Sequence, residues 1–115
     1  MQIDKVFVSI NARDVEGLSQ WYRTLLGRGW DREPMPSCHE WDVAECVLFQ
    51  VLDNGEQVGK ATATFHITDL DHQVARLKDA GVDVPDATPV EGFAALRYCE
   101  FKDPEGNMIG LVEGS

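Results

Sequence analysis

A chain of 115 residues, 43% of them hydrophobic, is long enough to bury a single core and too short for two independent domains. Its 20 acids against 10 bases leave a net charge of −10, which repels nucleic acid and anionic membranes and favours neutral or cationic partners. No run of about 20 apolar residues is present to span a bilayer, and Met1-Gln2-Ile3-Asp4-Lys5 lacks the charged-then-apolar layout of a signal peptide, so a cytoplasmic location is expected.

In chain order, Val6-Phe7-Val8-Ser9-Ile10 reads as a strand. Asp14 follows as a helix N-cap, its carboxylate able to accept from free first-turn N–H groups. Val15, Leu18, Tyr22 and Leu25 repeat at helical spacing, Trp21 and Leu26 widen the stripe, and Gly27 is a C-terminal stop. Pro34-Met35-Pro36-Ser37 reads as a loop that also carries His39 and Glu40. Trp41 to Cys46 and Val47 to Leu52 are strand candidates, and Asn54-Gly55-Glu56-Gln57 is a polar break.

The second half repeats this grammar. Ala63, Phe65 and Ile67 alternate with Thr62, Thr64 and His66 as in a strand. Asp69 is the next N-cap, Leu70, Val74 and Leu77 form the helical stripe, and Gly81 stops it. Val82 to Val84, Leu96 to Phe101 and Met108 to Val112 are further strand candidates. Between the last two lies Asp103-Pro104-Glu105-Gly106, where Pro presets φ and Gly admits a left-handed turn, so a hairpin is expected. The caps Asp14 and Asp69 lie 55 positions apart, and residues 1–57 and 58–115 each hold ten acids and five bases. These features predict an internal duplication within one domain, a strand–helix–strand–strand–strand module over about 1–57 and another over about 58–115.

The segments Val6 to Asp14, Trp21-Tyr22-Arg23-Thr24-Leu25-Leu26-Gly27, Phe65-His66-Ile67-Thr68-Asp69-Leu70-Asp71 and Asp103-Pro104-Glu105-Gly106-Asn107 together resemble the vicinal oxygen chelate superfamily of glyoxalase I, extradiol dioxygenases and bleomycin-resistance proteins. The resemblance covers nearly the whole chain. It implies an α+β fold of two βαβββ modules whose mixed sheets form a curved cleft, and a homodimer. It also implies metal-ligand positions on the concave faces. Spacing from Asp14, Asp69 and Asp103-Pro104 puts three of these at Phe7, Thr62 and Gly110. The fourth falls at Phe49, or at Gln50 after a one-residue slip. Phe, Thr and Gly are not divalent-metal ligands, so no metal and no other cofactor is expected.

The remaining chemistry is that of a wall. Phe7, Phe49, Val51, Met108 and Val112 are apolar; Ser9, Asn11, Thr62, Thr64 and His66 are polar; Trp41 and Tyr98 offer aromatic faces, and Gly110 completes the set. A mostly apolar cleft with a few polar groups is the usual make-up of a small-molecule site. His39 and Glu40 are neighbours, and neighbours on a strand point to opposite faces, so they are not expected to share a metal. Cys38, Cys46 and Cys99 are odd in number and widely spaced, hence small buried hydrophobes rather than a disulfide or metal set. No phosphate loop or catalytic-triad motif is present. The first expectation is a metal-free protein that binds or sequesters a small aromatic or amphipathic molecule. The alternatives are a metal-dependent lyase, isomerase or dioxygenase of the same superfamily, and an interaction module using its sheet surface.

Overall fold

The computed structural model describes residues 1–115. In the first half, β1 (Val6–Ala12) leads to α1 (Val15–Leu26), then β2 (Arg32–Met35), β3 (Cys38–Ala44) and β4 (Val47–Asp53). In the second half, β5 (Thr62–His66) leads to α2 (Leu70–Asp79), then β6 (Thr88–Pro89), β7 (Arg97–Lys102) and β8 (Met108–Glu113). The strand orders are β1-β4-β3-β2 and β5-β8-β7-β6. Each sheet therefore pairs its first strand in parallel with its last and is antiparallel elsewhere. A tight turn cannot join parallel neighbours, and in both halves the crossover opens with a helix. The fold is α+β, with two βαβββ modules. The chain divides into two compact units: residues 1–61 with the turn 104–107, and residues 62–103 with 108–115.

In the first unit, Asp14 Oδ1 accepts from the Gly17 N–H at 3.0 Å and starts α1. Gly27, at φ 77°, closes the helix in the left-handed region that costs glycine least. The helix buries Leu18, Tyr22 and Leu25 against the sheet. Tyr22 meets Phe49 at 5.0 Å between ring centres, and Phe49 meets Trp41 edge-on at 6.0 Å. All three rings are fully buried. The turn 104–107 belongs to this unit: Glu105 Oε1 and Oε2 accept from the N–H groups of Arg13 and Asp14 at 2.6 and 3.0 Å, and Asn107 Oδ1 accepts from Ala61 N–H at 3.0 Å.

The second unit has an aliphatic interior of Leu70, Leu77, Ile109 and Leu111, joined by Phe101 and Cys99. Its helix start differs from expectation. Asp69 makes no capping hydrogen bond; its Oδ2 accepts from the Gln73 side chain instead. The Leu70 N–H donates to Glu113 Oε1 at 3.1 Å, so a carboxylate distant in sequence serves the helix end.

Other expectations are corrected. The segment Pro34 to Ser37 is a turn only at Pro36-Ser37: Arg32–Met35 is an edge strand, where proline is tolerated because one row of N–H groups goes unpaired, and β3 begins at Cys38, so His39 and Glu40 lie on a strand. Val82 to Val84 is not a strand; Val84 is 4% exposed and fills the core, while Thr88–Pro89 takes the edge. Cys38 and Cys99 are buried, but Cys46 is exposed, at φ 64° in the tight turn between β3 and β4.

Candidate functional site

Register decides which side chains share a face. Phe7, Ser9 and Asn11 pair with Leu48, Gln50 and Leu52, which pair in turn with Asp42, Glu40 and Cys38. The alternate set is Val8, Ile10, Phe49, Val51, His39 and Trp41. The Tyr22–Phe49 ring contact and the Ser19–His39 contact at 2.6 Å place that set under α1. Phe7, Ser9 and Asn11 thus lie on the helix-free face of the first sheet, with Phe7 57% exposed. Trp41, Phe49 and Val51 do not. Each is 0% exposed, and Trp41 Nε1 donates to the Arg28 carbonyl at 3.1 Å. The expected wall loses these three because the parallel β1–β4 register puts them on the core side. The same register makes Gln50, and not Phe49, the residue that shares a face with Phe7.

The helix-free face carries a line of polar contacts. Ser9 Oγ donates to Gln50 Oε1 at 2.8 Å, and Gln50 Nε2 donates to Glu40 Oε2 at 2.9 Å. Arg32 lies 3.4 Å from Glu40 Oε1 and pairs closely with Asp42. Cys38 stands beside Glu40, 3.9 Å from sulfur to oxygen. Burial first, then the adjacent Glu40 charge, pushes the Cys38 thiol up from its usual range, so it stays a neutral thiol near pH 7. Sequence alternation does not reach Glu40, Cys38 and Arg32 as site residues, because the prolines at 34 and 36 interrupt it between them.

On the second sheet, Thr62, Thr64 and His66 share a face with Met108, Gly110 and Val112, and across β7 with Lys102, Glu100 and Tyr98. His66 Nε2 lies 2.8 Å from the Gly114 carbonyl, a hydrogen bond that ties the imidazole to backbone. Glu100 and Lys102 were missed; counting by twos from Tyr98 finds both. A Cβ on Gly110 would lie 3.0 Å from Thr64 Oγ1, so glycine lets that hydroxyl pack against the strand.

The metal positions implied by the resemblance are thus Phe7, Gln50, Thr62 and Gly110. Phe and Gly offer no donor, and Thr offers a weakly coordinating hydroxyl. The one amide oxygen, Gln50 Oε1, already accepts from Ser9. These residues do not fit a divalent catalytic metal. Nowhere do three His, Cys, Asp or Glu side chains converge as metal ligands.

Two other places deserve a chemical reading. Ser19, His39 and Glu33 form a serine–histidine–carboxylate line, with His39 Nε2 3.1 Å from Glu33 and Trp30 stacked on the imidazole at 3.9 Å. Ser19 is 0% exposed, so no substrate carbonyl can reach its hydroxyl and the line is a hydrogen-bonded part of the core. A groove of 530 Å³ beside the start of α1 is lined by Arg13, Asp14, Gly17, Leu18, Val58, Pro104 and Glu105. The Glu105 carboxylate already sits on the N–H groups an anion would seek there.

Solved structures share this architecture. A glyoxalase / bleomycin resistance protein from Catenulispora acidiphila is 24% identical, with a TM-score of 0.86 over 96% of this chain and 98% of that one. TnmS3, an antibiotic-binding protein from Streptomyces sp. CB03234, is 22% identical, with a TM-score of 0.79 over 100% and 97%. Lactoylglutathione lyase from Agrobacterium tumefaciens is 16% identical, with a TM-score of 0.77 over 95% and 92%. At such identities the likeness is one of fold. No curated protein matches the chain. The family described as Glyoxalase-like domain matches residues 7–112, and with that span the chain belongs to this family, within the vicinal oxygen chelate superfamily.

Proposed function

We propose that this protein binds a small aromatic or amphipathic molecule without a metal, using the helix-free sheet faces. The observation that carries the reading is the state of the four inherited ligand positions. Phe7, Thr62 and Gly110 are poor or empty donors, and Gln50 is committed to Ser9 and Glu40. What remains is an exposed aromatic ring, Phe7, beside a polar row, the usual pairing of apolar contact and orienting groups in a ligand site. Phe7, Ser9 and Asn11 on the first sheet, and Thr62, Thr64, His66, Tyr98, Met108 and Gly110 on the second, are its proposed contacts. The net charge of −10 favours uncharged or cationic ligands. That TnmS3 is described as antibiotic-binding supports a binding role on this fold. A two-fold homodimer in the cytoplasm is part of the proposal; no helix is long and apolar enough to cross a membrane.

The test combines metal and ligand. Purified protein titrated with Zn²⁺, Ni²⁺ and Fe²⁺ is expected to retain no stoichiometric metal. In a thermal-shift screen at least one aromatic compound should raise the melting temperature, since a ligand specific for the folded state adds to its stability. Phe7→Ala should weaken that compound by about ten-fold, the scale of truncating an aromatic anchor. One tightly held metal per chain, lost in Gln50→Ala, would return the protein to the metalloenzyme reading. Sedimentation giving only 12.8 kDa at micromolar concentration would remove the dimer.

A further inference from the structure

Glu40 is 8% exposed, an unusual place for a carboxylate on a sheet face that carries no helix. A carboxylate withdrawn from water needs donors on both oxygens. Oε2 has Gln50 Nε2 at 2.9 Å and the weak Cys38 thiol donor at 3.9 Å. Oε1 has only Arg32 Nη1, at 3.4 Å, near the outer limit of a hydrogen bond. Arg32 is held elsewhere, by its closer contact with Asp42, and its side chain is 41% exposed. One oxygen of a fixed, buried anion thus keeps acceptor capacity for a better donor.

The surroundings decide the sign of that donor. Two carboxylates, Glu40 and Asp42, stand against one guanidinium, Arg32, which leaves one net negative charge. The neutral Cys38 thiol adds none. The line from Ser9 through Gln50 holds the Glu40 carboxylate in one orientation. The next row along the strands is Asp42, Leu48 and Phe7; Leu48 is buried, so the apolar surface this row offers is the exposed Phe7 ring on β1, two strands from Glu40 on the same face.

We infer that Glu40 is the recognition group of this face: Oε1 receives an amidinium, guanidinium or ammonium group of the ligand while the ligand's flat body lies toward Phe7. Arg32 is the placeholder cation, released to Asp42 on binding. This rests on the small-molecule reading above and narrows its ligand to cationic aromatics.

The probes are benzamidine, benzamide and benzoate, which share a ring and differ in charge, titrated into ¹⁵N-labelled protein and followed by amide chemical shifts. Benzamidine should move amides of β3 and β4 and bind about ten-fold tighter than benzamide, the size of one charge-assisted hydrogen bond. Glu40→Gln should equalise the two, and Arg32→Gln should strengthen benzamidine by removing its competitor. Equal affinities in the unaltered protein, a preference for benzoate, or a preference for benzamidine that survives Glu40→Gln each overturn the inference while leaving small-molecule binding intact. If Glu40→Gln does not fold, Arg32→Gln decides, and an unchanged or weaker benzamidine affinity there is fatal. No shift from any probe also overturns it; the broader reading then stands or falls on its own thermal-shift screen.

Discussion

The two units follow one strand order, yet the first fills its interior with rings and the second with aliphatic chains. Trp41, Tyr22 and Phe49 interlock under α1, and Trp30 stacks on His39 beside them. Under α2 the interior is mainly Leu70, Leu77, Ile109 and Leu111, with one buried ring, Phe101, standing opposite Ile109 as Trp41 stands opposite Phe49. Rings with N–H groups, and a buried imidazole, must also find partners: Trp41 takes the Arg28 carbonyl, and His39 takes Ser19 and Glu33. The first core is therefore specified by directed side-chain bonds as well as volume, the second chiefly by volume, with Asp103 as its buried carboxylate. One backbone plan accepts both because packing asks for filled space in allowed rotamers, and not for particular residues.

The sharpest way to break this comparison is to empty each core. Trp41→Ala should cost about 4 kcal/mol and Leu77→Ala about 3 kcal/mol, the first adding an unpaired Arg28 carbonyl to the lost volume. Chemical denaturation of both variants measures the difference, and a larger loss for Leu77→Ala would mean the aromatic network relaxes around its gap.

The helix starts sharpen it further. Asp14→Ala should lower stability by about 1 kcal/mol, because its carboxylate caps the Gly17 N–H. Asp69→Ala should cost under about 0.5 kcal/mol, since Asp69 is exposed and its partner is the Gln73 side chain on the same helix. Equal shifts in denaturation midpoint would show that Asp69 caps α2 in solution after all.

The smallest effect is on acid stability. The Asp42 N–H first, then Arg28, hold the Asp31 carboxyl below the usual carboxylate range; in the second unit, Arg97 does the same for Asp71. A carboxyl with a depressed folded value contributes stability above its unfolded value and loses it as pH falls through the folded one. Stability should thus decline below about pH 4, and Asp31→Asn and Asp71→Asn should each decline less than the unaltered protein. Both groups are on the surface, so added salt should shrink the difference. A variant whose acid limb matches that of the unaltered protein would remove its pair from the account.

Much of this was legible in the chain. The repeated cap, stripe and glycine stop announced both helices, and Asp103-Pro104-Glu105-Gly106 announced the last hairpin, whose Gly106 takes φ 94°. What stayed hidden has physical causes. Val47-Leu48-Phe49-Gln50-Val51-Leu52 is apolar but for Gln50, and one polar residue is a weak marker of which face is which. That is why an apolar wall of Phe49 and Val51 is a natural expectation from sequence and a wrong one in the structure, where both are 0% exposed. Proline at 34 and 36 masked an edge strand, and with it Arg32, Cys38 and Glu40. Glu113 at the start of α2 was beyond reach, because a cap supplied from 43 residues away leaves no local pattern.

The turn from Pro104 to Asn107 also bears on how the repeat can be inherited. Although the sequence duplicates, the compact unit built on residues 1–61 does not own all of its hydrogen-bond acceptors: the backbone donors of Arg13, Asp14 and Ala61 are satisfied by Glu105 and Asn107, which lie in the second repeat. Cut after residue 61, the first unit would lose the acceptors of three backbone donors. The halves are interleaved and not modular, so natural variation is expected to reshuffle or truncate this protein as a whole chain, and seldom at the seam its symmetry suggests.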